Sequence, residues 1–167
     1  PWCSPSRRGE DAAAGWAVHE MALSETSEVE MPAKGTCLCG AVTITAAEAG
    51  DKLVACHCEM CTTWGGGPLL AVHCGKEVQI DGAESVGVFD SSAWAERGFC
   101  KTCGTHLFYR LKEQQSYNVP LGLFRGAVQP TFAMQFFVDK KSPCYSFADE
   151  TKMLTEAEVF EMFAPRD

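Results

Sequence analysis

Seven of the ten cysteines in this 167-residue chain fall into three tight clusters, and that spacing constrains the fold more than any other feature. The clusters are Cys37-Leu38-Cys39, Cys56-His57-Cys58-Glu59-Met60-Cys61 and Cys100-Lys101-Thr102-Cys103. Cysteines this close are awkward disulfide partners, because the bond needs well-separated Cα atoms and converging Cβ vectors, whereas neighbouring thiolates readily share one ion. No basic-then-apolar leader is read at the N-terminus, and the chain is long enough to form its own core. Metal sites in a reducing, cytoplasmic setting are therefore expected in place of a disulfide framework.

Residues 1–30 read as a tag or disordered extension: Pro1 is no translation start, residues 4–15 are polar and alanine-rich, and Met21 and Met31 could each open the native chain. Cys3 and His19 fall inside that stretch and are not expected to be ligands. Residues 31–167 are then one zinc-binding domain. With 46% hydrophobic and 22% charged residues the whole chain has the composition of a globular protein. No apolar run approaches the roughly 20 residues that cross a bilayer, so no membrane partner is expected. A formal net charge of −8 argues against a general nucleic-acid binder, which needs a basic face for phosphate.

The patterning is mostly β. Val42 and Ile44 alternate with Thr43 and Thr45, as in a half-buried strand. Further strands are expected over residues 52–56, 68–73, 78–81, 85–90, 97–100, 105–111, 117–123 and 132–138, with Leu107 and Tyr109 opposed to His106 and Phe108. One helix is expected near the end, where Thr155-Glu156-Ala157-Glu158 opens a segment carrying Val159, Phe160 and Phe163. The fold class is mainly β, closed by a short C-terminal helix.

The outer clusters have the form of zinc knuckles, with Gly40 and Gly104 directly after the last cysteine of each. Glycine there permits the positive φ of the turn whose amides face the thiolates. Cys37, Cys39, Cys100 and Cys103 together supply the four thiolates of a closed structural zinc. The middle cluster supplies only Cys56, Cys58 and Cys61, the three ligands expected of a catalytic zinc with a fourth place left for substrate. Three thiolates around a divalent ion leave one net negative charge, which suits holding an incoming thiol as thiolate better than activating water. His57, His73 or Cys74 could instead close this site as a second inert zinc, although His57 alternates with the ligands and is expected to point away. Cys144 reads as a buried or free thiol. The Gly65-Gly66-Gly67-Pro68 stretch could admit a ligand close to the backbone or form a bare loop.

The motifs Gly35-Thr36-Cys37-Leu38-Cys39-Gly40, Cys56-His57-Cys58-Glu59-Met60-Cys61 and Phe99-Cys100-Lys101-Thr102-Cys103-Gly104-Thr105-His106 resemble those of the glutathione-dependent formaldehyde-activating enzymes, a family that includes the centromere protein V domain. The resemblance spans about residues 33–150. It implies a compact Mss-four-like fold stapled by zinc, two zinc ions per chain, a structural site at Cys37, Cys39, Cys100 and Cys103, and a catalytic one at Cys56, Cys58 and Cys61 open to glutathione. The implied reaction is a carbon–sulfur lyase or synthase step joining a small thiol to an aldehyde such as formaldehyde. Many members carry Arg after the last middle cysteine, where this chain has Thr62. An anionic thiol such as glutathione needs a basic residue nearby, and Arg97, Lys101, Arg110 and Arg125 are the candidates. The centromere branch implies a non-catalytic interaction module as the alternative, and a redox or zinc-buffering role is a third reading.

Overall fold

The structure, a computed structural model, describes residues 32–163. The expectation for residues 1–30, with Cys3 and His19, lies outside these. In chain order the strands are β1 Ala33–Thr36, β2 Thr43–Ala46, β3 Lys52–Cys56, β4 Leu69–His73, β5 Val78–Asp81, β6 Val86–Asp90, β7 Ala95–Cys100, β8 His106–Leu111, β9 Ser116–Pro120, β10 Thr131–Phe136 and β11 Lys152–Leu154. The helices are α1 Glu59–Gly65 and α2 Glu156–Phe163. Strands dominate, as the alternating sequence requires.

Two sheets share one core. The smaller has the order β1-β2-β5, and the larger runs β11-β10-β3-β4-β9-β8-β7-β6. All neighbours are antiparallel except β10, which is parallel to both β3 and β11. In β2 the alternation is realised, with Ile44 and Ala46 buried and Thr43 and Thr45 half-buried. These residues meet Leu53, Val72, Leu107, Phe108, Val119 and Phe124 of the larger sheet and its connections. Burying such side chains contributes about 1.5–3 kcal/mol each before chain entropy is subtracted.

The β8 alternation differs from expectation. Gly98 pairs with Phe108 but the adjacent Phe99 pairs with His106, so a bulge leaves Leu107 between them. Leu107 and Phe108 are consequently both buried. The Phe108 ring lies against Gly98, where an added Cβ would sit 2.2 Å from a ring carbon. Gly98→Ala is therefore expected to cost about 1–3 kcal/mol by overpacking, and a chemical denaturation curve should show a lowered midpoint with little change in slope.

Helix α1, which carries the second half of the middle cluster, was not expected from the sequence, and β1 and β11 are also additions. The C-terminal helix is as expected: the Thr155 backbone N–H donates to Glu158 Oε2 at 2.7 Å, and the Glu158 N–H donates back to Thr155 Oγ1 at 3.5 Å. That reciprocal pair is a capping box. Between β10 and β11, residues 137–151 bring Tyr145 against His57 and Thr151 against Gln135.

Candidate metal centres and the pocket beside them

Two hairpin turns carry the outer cysteines: Cys37 and Cys39 follow β1, while Cys100 ends β7 and Cys103 lies in the turn to β8. One turn belongs to each sheet, so this cluster joins the two. The four Sγ atoms lie within 4.8 Å of one another. Cys37 Sγ is 3.5 Å from Cys39 Sγ, which is 3.7 Å from Cys100 Sγ. Four sulfurs around a tetrahedral zinc with bonds of about 2.3 Å would stand roughly 3.8 Å apart, so the donor set already has nearly the size of the ion's coordination shell.

The local backbone serves the same end. The Val42 N–H donates to Cys37 Sγ at 3.3 Å, and Gly40 and Gly104 take φ values of 83° and 73°, as the knuckle turns require. The Thr105 hydroxyl and backbone N–H hold the Cys103 thiol down to about 5, favouring the thiolate. Cys37 and Cys100 are fully buried, while Cys39 is exposed.

The middle cluster is built where β3 runs into α1. Cys56 is the last residue of β3, Cys58 the N-cap of α1, and Cys61 lies in its first turn. Their Sγ atoms also lie within 4.8 Å of one another. Thiol hydrogen bonds from Cys56 and Cys61 pull Cys58 down, while those same contacts, with burial, push Cys56 up. Three crowded thiols cannot all ionise unaided, and a thiophilic cation is what relieves the repulsion. Both donor sets thus fit a metal ion, and the nine cysteines among the described residues are all free thiols.

Among the described residues, no fourth Cys, His, Asp or Glu joins the trio. Cys74 lies in the core at 2% exposure, donates weakly to the Val72 carbonyl, and is pushed up to about 11 by burial. His73 is exposed at the end of β4. His57 faces away, as its alternation implied: Nδ1 lies 2.7 Å from Tyr145 Oη and Nε2 3.1 Å from Gln135 Oε1, whose own amide donates to Thr151 Oγ1 at 2.7 Å. Both ring nitrogens are thereby occupied. Cys144 is exposed, settling the buried-or-free alternative.

Of the four candidate cations, the structure brings Arg97 alone to the trio. Lys101 donates to the Glu84 carbonyl, Arg110 pairs with Glu96, and Arg125 donates to carbonyls of Thr36 and Cys37. Thr62 turns its hydroxyl back onto the Cys58 and Glu59 carbonyls of its own helix. Arg97, on β7, is 2% exposed and donates from Nη2 to Cys61 Sγ at 3.4 Å. Its guanidinium carbon lies 5.1 Å from the Tyr109 ring centroid and 5.9 Å from that of Trp64. Among the described residues it has no carboxylate partner, and Nη1 has no hydrogen-bond partner. A buried cation needs a counter-charge, and the thiolate trio is the one within reach.

Trp64 was not singled out by sequence, although it lies one helical turn beyond Cys61 on α1. Its ring packs edge-on to Phe99 and His106 at 5.8 and 5.5 Å, and parallel to Phe89 at 6.0 Å. Trp64, Gly65, Phe99, Gly104 and His106 line an open depression of about 460 Å³. His106 donates from Nε2 to the Phe108 carbonyl at 3.0 Å, and burial, aided by the Arg97 charge, pushes it down to about 4. It is a neutral wall at physiological pH.

An uncharacterized lyase of Schizosaccharomyces pombe is 39% identical over 129 residues, spanning 77% of this chain and 94% of the relative. A Rhodobacter sphaeroides protein of known crystal structure is 28% identical, covering 56% of this chain and 88% of its own, with a TM-score of 0.48. The sequence model described as "Glutathione-dependent formaldehyde-activating enzyme" matches residues 32–140, a span containing all three cysteine clusters and Arg97. The chain belongs to the glutathione-dependent formaldehyde-activating enzyme family.

Proposed function

We propose that the chain is a zinc-dependent carbon–sulfur lyase or synthase that makes and breaks the bond between a small thiol, glutathione first among them, and an aldehyde such as formaldehyde. The observation that carries this reading is the three-thiol cluster beside a buried arginine whose counter-charge it must supply. The family description and the lyase name of the yeast relative point the same way. The site residues are Cys56, Cys58 and Cys61 for the catalytic ion, and Cys37, Cys39, Cys100 and Cys103 for the structural one.

Zinc bound by the trio would supply a fourth coordination place in which a thiol is held as thiolate. The chain's own contribution is orientation and charge. Cys56 and Cys58 are half-buried, and the buried Arg97 packs between Cys61 Sγ and the Trp64 ring. Arg97 offsets the negative charge that a further thiolate would add, and does so in a low-dielectric setting where one charge counts for most. In the synthase direction the thiol gives up its proton, sulfur bonds to the carbonyl carbon, and the carbonyl π pair moves to oxygen, which takes a proton. The lyase direction is the reverse.

Among the described residues no helix is long and apolar enough to cross a membrane. Residence in a reducing, cytoplasmic compartment belongs to the proposal and rests on the free thiols. Zinc-edge X-ray absorption tests the site directly. Four and three thiolates give seven sulfurs over two ions, and saturating glutathione should raise this to eight. A sulfur count unchanged by glutathione would leave the interaction-module reading of the family in its place.

A further inference from the structure

We infer that Arg97 is a positioning residue, acting through Cys61 Sγ, that makes the middle site select anionic sulfur over neutral donors. The inference rests on the thiol chemistry proposed for the trio and names the charge class of ligand that the same site takes.

The sheet isolates this cation from every acceptor but sulfur. Its cross-strand neighbours are Phe89 on β6 and Tyr109 on β8, so the register sets it between aromatic side chains. The carboxylates of the same hairpin are engaged elsewhere, Glu96 by Arg110 at 3.2 Å and Asp90 by Lys112 at 2.7 Å. The contact that Arg97 does make is from Nη2 to Cys61 Sγ at 3.4 Å. Such a placement costs the fold stability: a guanidinium does not deprotonate, burial strips its water, and Nη1 has no hydrogen-bond partner. Replacing a buried charge by an apolar side chain of similar volume is often neutral or stabilising. Stability therefore does not account for Arg97, whereas its effect on the sulfur does.

A cation hydrogen-bonded to one ligand sulfur draws charge from the whole cluster. Three thiolates about a divalent ion carry one net negative charge; a fourth thiolate makes it two, whereas a thioether, an imidazole or a water adds none. A buried positive charge offsets that second negative charge where the dielectric is low, and leaves a neutral donor almost unaffected. Selectivity for anionic sulfur thus comes from charge alone and needs no contact between Arg97 and the incoming ligand.

Glutathione and S-methylglutathione separate charge from shape, since they share one peptide and differ at sulfur, which binds as a thiolate in the first and as a neutral thioether in the second. Calorimetric titration of the zinc-loaded wild type should show glutathione bound the more tightly. Arg97→Met should keep a cooperative melt and two zinc ions per chain, because methionine fills much of the same volume without the unpartnered N–H. Its glutathione affinity should fall at least about tenfold, while that for S-methylglutathione changes less than about twofold. Arg97→Lys, which keeps the charge, should retain a larger preference for glutathione than Arg97→Met. Equal losses for the two ligands in Arg97→Met would assign Arg97 to the peptide or to packing, and an unchanged preference would deny its charge any effect at the site; either overturns the inference and leaves the thiol reading standing. A variant that fails to fold or to keep its second zinc would make Arg97 a structural or metal-retaining group, and overturns the inference likewise. Absence of glutathione binding in the wild type overturns the thiol reading, and this inference with it.

Discussion

Cys100→Ala is expected to unfold the domain, leaving no cooperative thermal transition in circular dichroism at 25 °C or above. Cys100 is fully buried at the end of β7 and sits among the sulfurs that link the hairpin turns of the two sheets. Binding of a structural zinc by four thiolates is worth about 10–16 kcal/mol in small zinc domains, which equals or exceeds the 5–15 kcal/mol by which a whole domain is stable. Losing one of four ligands forfeits much of that and leaves a void beside Cys37 in the core. Stripping the wild type with a strong chelator should give the same unfolded spectrum, restored by adding zinc. A Cys100→Ala variant that melts cooperatively within a few degrees of the wild type would show that the sheets hold together without the ion.

Cys58→Ser should do the opposite, abolishing function while the fold persists. Cys58 is the N-cap of α1 and its side chain makes no capping hydrogen bond, whereas serine is among the preferred N-caps. The helix therefore has nothing to lose locally. The middle site keeps two thiolates and a hydroxyl that stays protonated, so zinc measured by atomic absorption should fall from two ions per chain to one. Glutathione binding should vanish, and turnover should drop by at least about a hundredfold, beyond what loss of an outer-shell partner costs. A lowered melting midpoint is expected as well, because Arg97 would keep its burial with part of its counter-charge gone. Full activity in a variant with one zinc per chain would refute the catalytic assignment of Cys56, Cys58 and Cys61.

The cysteine clusters were legible in the sequence because their members lie close along the chain. Cys37 with Cys39, and Cys100 with Cys103, each occupy one tight turn, and the glycine after each pair reports the positive φ of that turn. Strands β2 and β5 were legible for a similar reason, the one alternating and the other ending at Asp81-Gly82. Helix α1 was not, since its seven residues are too few for a helical period to show and they overlap the cysteine cluster. The bulge at Leu107 depends on pairing with β7, which no pattern within β8 reveals. Choosing Arg97 from four candidate cations was likewise beyond spacing: the choice follows from β7 turning that side chain towards α1, a tertiary relation between residues 36 positions apart. Had α1 been read, Trp64 at one turn from Cys61 would have followed.

The stretch between β10 and β11 has a consequence for where the working unit ends. The family match stops at residue 140, yet Tyr145 holds Nδ1 of His57, Thr151 holds Gln135, and β11 covers the free side of β10. A chain cut at the family boundary would leave a buried imidazole half-satisfied and expose the six-residue β10 as a bare edge. Unprotected edges of that kind recruit further strands, so the shortened protein would be prone to self-association into aggregates.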